Sequence, residues 1–129
     1  MKLGFSIGYN CFGYGLVLPH YGTIVVGPSN RIGNYALLHT STCITDNGKL
    51  IGDAFYLSTG AKMTTRVVLG DNISVGANSL VNKSSSGNVL LAGTPAKEIK
   101  AALPWYERDG EPYFNKVRRV ESLKEKIGV

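Results

Sequence analysis

Val68-Leu69-Gly70-Asp71-Asn72-Ile73-Ser74-Val75-Gly76-Ala77-Asn78-Ser79-Leu80-Val81 is the stretch that decides the fold. Leu69, Val75 and Val81 stand six residues apart, and glycine follows the first two. Outward from there the spacing runs back through Met63, Leu57 and Ile51, then, across one extra residue, through Ile44, Leu38, Ile32 and Val26. A helix would place apolar residues at intervals of three and four, and a half-buried strand at every second position. A period of six means short strand, turn, short strand, turn, which is the signature of a parallel β-helix. Three hexads close one triangular coil, so residues roughly 18 apart stack on one face, with coils about 4.8 Å apart.

The rest of the chain is organised around this repeat. Residues 3–25 are glycine-rich and less regular; Leu18 and Ile24 keep the spacing before the register slips by two to Val26. They read as opening turns. The extra residue near Thr45-Asp46-Asn47-Gly48-Lys49 marks a small loop off the coils, expected to leave near the histidines described below. Glycines after the aliphatic slots (Gly27, Gly33, Gly52, Gly70, Gly76) are expected to serve tight corners. Residues 87–95 are expected to leave the last coil. Pro95 to Leu103 has room for a short helix ending at Pro104, and after a polar stretch at 107–112 the stripe Phe114, Val117, Val120, Leu123, Ile127 predicts an amphipathic helix near 113–127. This gives a β-helix domain over 1–95 and a C-terminal helical extension over 96–129, the latter expected to cap the C-terminal end of the stack. Tyr35, Phe55, Tyr56 and Leu80 fall outside the slots and are expected in a subunit contact or a cleft, so an oligomer is expected.

Composition narrows the function. With 129 residues and 18% charged residues the chain is one globular domain. The formal charge is +5, and eight of the 14 Lys and Arg lie at or after Lys97. That tail intersperses Glu121 and Glu125 and lacks an aromatic-basic array, which argues against nucleic-acid binding. The two cysteines, Cys11 and Cys43, are too few for a disulfide framework and suit a reducing compartment. With no leader pattern and no run of 18 apolar residues, a cytoplasmic protein without a membrane span is expected. A metal centre needs three or more ligands, and two histidines with unpaired cysteines do not supply them.

His20 and His39 are the only histidines. Allowing for the slip, they follow equivalent slots one coil apart, so their imidazoles are expected side by side on one edge. Imidazole is the side chain best matched to proton transfer near neutral pH.

The hexads Ile32-Gly33-Asn34-Tyr35-Ala36-Leu37 and Val75-Gly76-Ala77-Asn78-Ser79-Leu80 resemble the repeats of left-handed β-helix acyltransferases. His20-Tyr21-Gly22-Thr23-Ile24-Val25-Val26-Gly27 resembles the catalytic segment of serine acetyltransferases, and Ala92-Gly93-Thr94-Pro95-Ala96-Lys97 the sequence that ends their helix. The resemblance covers about residues 12–100 and implies an all-β, left-handed parallel β-helix that assembles as a homotrimer. It further implies direct attack of an acceptor hydroxyl on acetyl-CoA, without a metal. On that reading His20 is the general base and His39 a second acid/base or acceptor-binding group. Thr59 and Ala77 would line the approach of the pantetheine arm, Thr94 would be a further acetyl-CoA-binding residue, and Lys83 and Lys97 would meet the CoA phosphates.

The chain departs from the family at several positions. Pro19 precedes His20 where the family has Asp, Phe5 stands where another Asp orients that histidine, and Asp46-Asn47-Gly48 stands where the family reads Arg-His-Pro. These are the positions expected to recognise serine, so Pro19 and Asn47 are assigned to acceptor binding, and a sugar or surface-polysaccharide precursor is the expected acceptor. The resemblance there is to short serine-acetyltransferase-like proteins of polysaccharide synthesis. L-Serine is the alternative acceptor, and a non-catalytic trimeric scaffold the alternative of another class. The Lys2–Ile7 opening resembles a segment that continues from upstream structure in relatives.

Overall fold

The computed structural model describes residues 4–108 and 113–128. They form an all-β left-handed parallel β-helix of hexapeptide repeats with one C-terminal α-helix. The first face stacks β1 (Phe5–Ile7), β2 (Ile24–Val26), β5 (Thr42–Ile44), β8 (Lys62–Met63) and β11 (Leu80–Val81). The second stacks β3 (Arg31–Ile32), β6 (Leu50–Ile51) and β9 (Val68–Leu69). The third stacks β4 (Leu37–Leu38), β7 (Tyr56–Leu57), β10 (Ile73–Val75), β12 (Val89–Gly93) and β13 (Ala96–Ala101). All pairings are parallel except β12 with β13.

The aliphatic slots are the core. From Val26 to Val81 every one of them is at most 5% exposed. Each short strand sends one such side chain inward, so neighbouring coils bury one another and no coil has a core of its own. Register records the loop directly: Leu50 lies opposite Arg31, 19 residues back, while Val68 lies opposite Leu50, only 18 back. The extra residue therefore leaves the stack at one corner without disturbing the ladders.

The corners work differently from expectation. Positive φ falls two residues after the glycine, at Tyr35 (61°), Ala54 (58°), Asn72 (59°) and Asn78 (56°). The glycines serve close stacking instead. A Cβ on Gly52 would lie 2.2 Å from Asp71 Oδ1, and one on Gly70 1.9 Å from the Ser86 carbonyl oxygen of the next coil.

The C-terminal part also differs. Val89–Gly93 do not leave the last coil; they add a rung to the third face, with Val75 opposite Leu91. Ala96–Ala101 are not helical, so the extension assigned to 96–129 begins as a strand. This strand folds back antiparallel on β12 and closes the C-terminal end of the third-face sheet. Three of its six residues are charged and five are exposed, so no buried stripe holds it as a helix, and pairing with β12 satisfies its backbone. The helix appears as expected, as α1 (Phe114–Ile127), ended by Gly128 in the left-handed region. It does not cap the far end of the stack. The tail runs back along the third face, where Trp105 is fully buried among Leu37, Ala54, Val17, Tyr56, Tyr106 and Tyr113. The Trp105 Nε1–H donates to the Tyr35 carbonyl at 2.7 Å. Val117 packs beside the opening turns around Leu16 and Val17.

Of the residues outside the slots, Phe55 lies inside the main core and Tyr35 is buried beneath the tail, so neither needs a partner subunit to cover it. The expected polar stretch at 107–112 lies largely outside the described residues, as do Lys2 and Leu3 of the opening.

Candidate functional site

The site grows from the corner between the third and first faces. Leu38 ends β4 on an inward slot, and the chain turns through His39-Thr40-Ser41 before β5, with Ser41 at φ 60°. Val17 bridges Leu37 one coil below, which carries His20 to the same corner. The imidazoles of His20 and His39 stack with centroids 6.3 Å apart and planes inclined by 28°. The sequence spacing brought them together as expected. His20 is exposed and His39 half-buried.

Two groups complete the arrangement: Tyr56, expected from the sequence only in a subunit contact or a cleft, and Arg108, which the sequence did not single out. Tyr56, one coil above, places its hydroxyl 2.9 Å from His39 Nε2. A tyrosine hydroxyl donating there leaves the ring proton on Nδ1. The guanidinium of Arg108 lies 4.6 Å above the Tyr56 ring and donates to Ser74 Oγ, one rung higher on the same face. Burial pushes the His39 pKa below its ordinary 6.5, and the charge of His20 pushes the same way. Both influences favour the neutral form of His39.

Because the folded pKa of His39 lies below 6.5, the folded chain binds fewer protons than the unfolded one just below that pH. The contribution to stability is complete above pH 6.5 and is lost as the pH falls. Denaturant midpoints measured from pH 5 to 7 should therefore rise less steeply in His39→Gln than in the parent chain. Parallel curves would remove this account of His39.

The remaining expected site residues fall in three places. Thr59, Ala77 and Thr94 lie on the same corner as His39, one above another. Thr59 Oγ1 donates to the Thr40 carbonyl at 2.9 Å, Asn78 N–H to the Thr59 carbonyl, and Thr94 Oγ1 to the Asn78 carbonyl. Small side chains leave this ridge open above the histidines. Lys83 and Lys97 come together elsewhere, on a cavity of about 240 Å³ at the C-terminal end. Pro19 adjoins His20. Asn47 does not join them. Its loop leaves the corner between the first and second faces, one strand beyond His39, where Asn47 Nδ2 donates to the Thr64 carbonyl. There Asn47 and Thr45 surround the fully buried Lys49, whose Nζ donates to the Thr45 carbonyl at 2.7 Å and Asn47 Oδ1 at 2.5 Å. Asn47 is accordingly part of a structural polar cluster in its own subunit. Phe5 packs against the core from β1 and does not orient His20. Among the described residues no group of three His, Cys, Asp or Glu side chains could hold a metal, and no helix is long and apolar enough to cross a membrane.

This corner site lies on a left-handed hexapeptide-repeat β-helix, the architecture of an existing serine acetyltransferase structure. The crystal structure of the Neisseria gonorrhoeae serine acetyltransferase superposes with a TM-score of 0.64 over 84% of this chain and 44% of that chain, at 21% identity. In sequence the chain is 24% identical over 94 residues to the serine acetyltransferase of Synechococcus elongatus, covering 67% of this chain and 38% of that protein. It is 27% identical over 92 residues to that of Staphylococcus xylosus (66% and 43%) and 26% over 94 residues to that of Helicobacter pylori (67% and 55%). The chain spans about half or less of the length of these relatives. No family model matches.

Proposed function

We propose that the chain is an acetyl-CoA-dependent O-acetyltransferase of the serine acetyltransferase kind. The observation that carries this reading is the stacked His20–His39 pair at the foot of an open ridge of small residues, in a chain whose relatives are serine acetyltransferases. His20, exposed and at the mouth of the corner, takes the proton of the acceptor hydroxyl as that oxygen attacks the thioester carbonyl; the C–S bond breaks and CoA leaves as thiol. His39, held by Tyr56, acts as a second acid/base or binds the acceptor. Backbone N–H groups of the corner would meet the developing oxyanion. Thr59, Ala77 and Thr94 border the acetyl-CoA arm, and Lys83 and Lys97 are its phosphate contacts.

The comparisons favour L-serine as acceptor over a sugar, since each named relative is a serine acetyltransferase. A sugar hydroxyl remains the second reading, favoured by Pro19 beside His20 and by the location of Asn47 away from the site. A trimer is supported by the second face, which leaves Leu50 and Val68 about half exposed beside a cavity of about 490 Å³. The free thiols Cys11 and Cys43 suit a cytoplasmic setting. Release of CoA thiol should depend on an added acceptor, and a panel holding L-serine, simple sugars and nucleotide sugars identifies which. No turnover with any member would leave a non-catalytic scaffold.

A further inference from the structure

Above Tyr56 the third face carries a further cavity, of about 370 Å³. Its floor is apolar, from Leu90, Leu103 and two alanines, and its polar groups are Ser74, Lys100 and Arg108. Among the described residues no carboxylate lines it. Lys100 stands opposite Leu90 on β13, while Glu98 of the same strand bonds Ser85 Oγ at 2.8 Å.

Arg108 is held in place on three sides. Fully buried Trp105 anchors the segment, the Tyr56 ring supports the guanidinium from below, and Ser74 Oγ takes one of its N–H groups. The guanidinium carries five donors. Among the described residues Ser74 is the only side chain it bonds, and neither Arg108 nor Lys100 forms an ion pair. Two cations beside one apolar floor repel each other unless an anion lies between them. A guanidinium fork is suited to an oxyanion such as phosphate or carboxylate.

One side chain, Tyr56, separates Arg108 from His39, which meets the Tyr56 hydroxyl while Arg108 meets the ring, and His39 in turn stacks on His20, so an acceptor joining the two ends must span two side chains. We infer that Arg108, Lys100 and Ser74 form a binding subsite for an anionic group, phosphate or carboxylate, on the acceptor whose hydroxyl reaches His20. This rests on the acyltransferase reading for the identity of its ligand, but the anion site itself is measurable without turnover.

The chain's single tryptophan lies three residues before Arg108 and packs beside Tyr56, the ring under the guanidinium, so its emission responds to a change there. Titration with inorganic pyrophosphate and with malonate at constant ionic strength should give a saturable change in Trp105 fluorescence, and the stronger of the two identifies phosphate or carboxylate. Arg108→Gln and, separately, the exposed Lys100→Gln should each weaken that binding roughly tenfold or more, the loss expected of a charge-assisted hydrogen bond. Lys100 supports no packing, so its variant keeps the test valid where Arg108→Gln loosens the tail. With an active acceptor, both variants should raise the acceptor KM and leave the acetyl-CoA KM unchanged. Absence of saturable binding, or equal binding in the variants, overturns the subsite. A rise confined to the acetyl-CoA KM overturns its assignment to the acceptor. Saturable, variant-sensitive binding with no turnover leaves the subsite standing and removes the enzymatic reading alone.

Discussion

Replacing His20 by Ala should lower the rate of acetyl transfer about 10²–10⁴-fold, the usual worth of a positioned general base. The loss should appear in kcat, with the acetyl-CoA KM little changed, because His20 lies at the foot of the ridge and not along it. Stability should stay within about 0.5 kcal/mol of the parent, since His20 is exposed and fills no cavity. That combination separates chemistry from folding. His39→Ala should instead cost both rate and stability, because His39 is half-buried and its loss leaves the Tyr56 hydroxyl without a partner. A fully active His20→Ala protein would sink the general-base assignment; if His39→Ala were then inactive, His39 would be the base.

The reason these two imidazoles could be paired from sequence is geometric. They follow slots one coil apart, and the repeat converts a separation of 19 residues into adjacency. The inward slots were legible for the same reason, each being aliphatic at a fixed interval. The loop at 45–49 could have been placed by the same count: His39 follows the Leu38 slot and the loop follows the Ile44 slot, one corner further on. Tyr56 was harder to read. It stands just before a slot, as Leu37 and Leu80 do, and nothing local says which outward side chain meets an imidazole. The αL corner also hid in plain view, because glycine at one hexad position draws attention away from the asparagine two residues later, which takes the left-handed backbone at Asn72 and Asn78. Asparagine tolerates that region better than most residues.

The tail was illegible for a different reason. Periodicity describes what each coil does for its neighbours, whereas the Trp105 contact joins residues 70 positions apart. No local pattern in Ala96–Ala101 distinguishes a short helix from a strand that hydrogen-bonds back on β12. The pairing is decided by the exposed edge that β12 presents, and an edge is a property of the assembled stack.

Trp105→Ala should be among the most destabilising single changes in the chain. The indole is fully buried, contacts Tyr56, Tyr106 and Tyr113 at ring separations of 5.6 to 6.3 Å, and satisfies the Tyr35 carbonyl. Truncating a buried Trp costs about 3–5 kcal/mol, from lost burial and the cavity left behind. For a domain of this size that lowers Tm by roughly 10–20 °C, at fixed protein concentration. The effect should be larger than for an outward residue of one coil, because the tail crosses several coils and its release exposes the third face along its length. Trp105→Phe separates the two contributions: it keeps most of the ring packing and loses the N–H to Tyr35, so a loss of about 1–3 kcal/mol is expected. Activity gives the decisive comparison. If the tail holds Arg108 over Tyr56, Trp105→Ala should raise the KM of an anionic acceptor at temperatures where the coils remain folded, while the exposed His20 keeps its place. A Trp105→Ala protein that melts with the parent and binds its acceptor equally well would mean that the tail is not docked on the third face in solution.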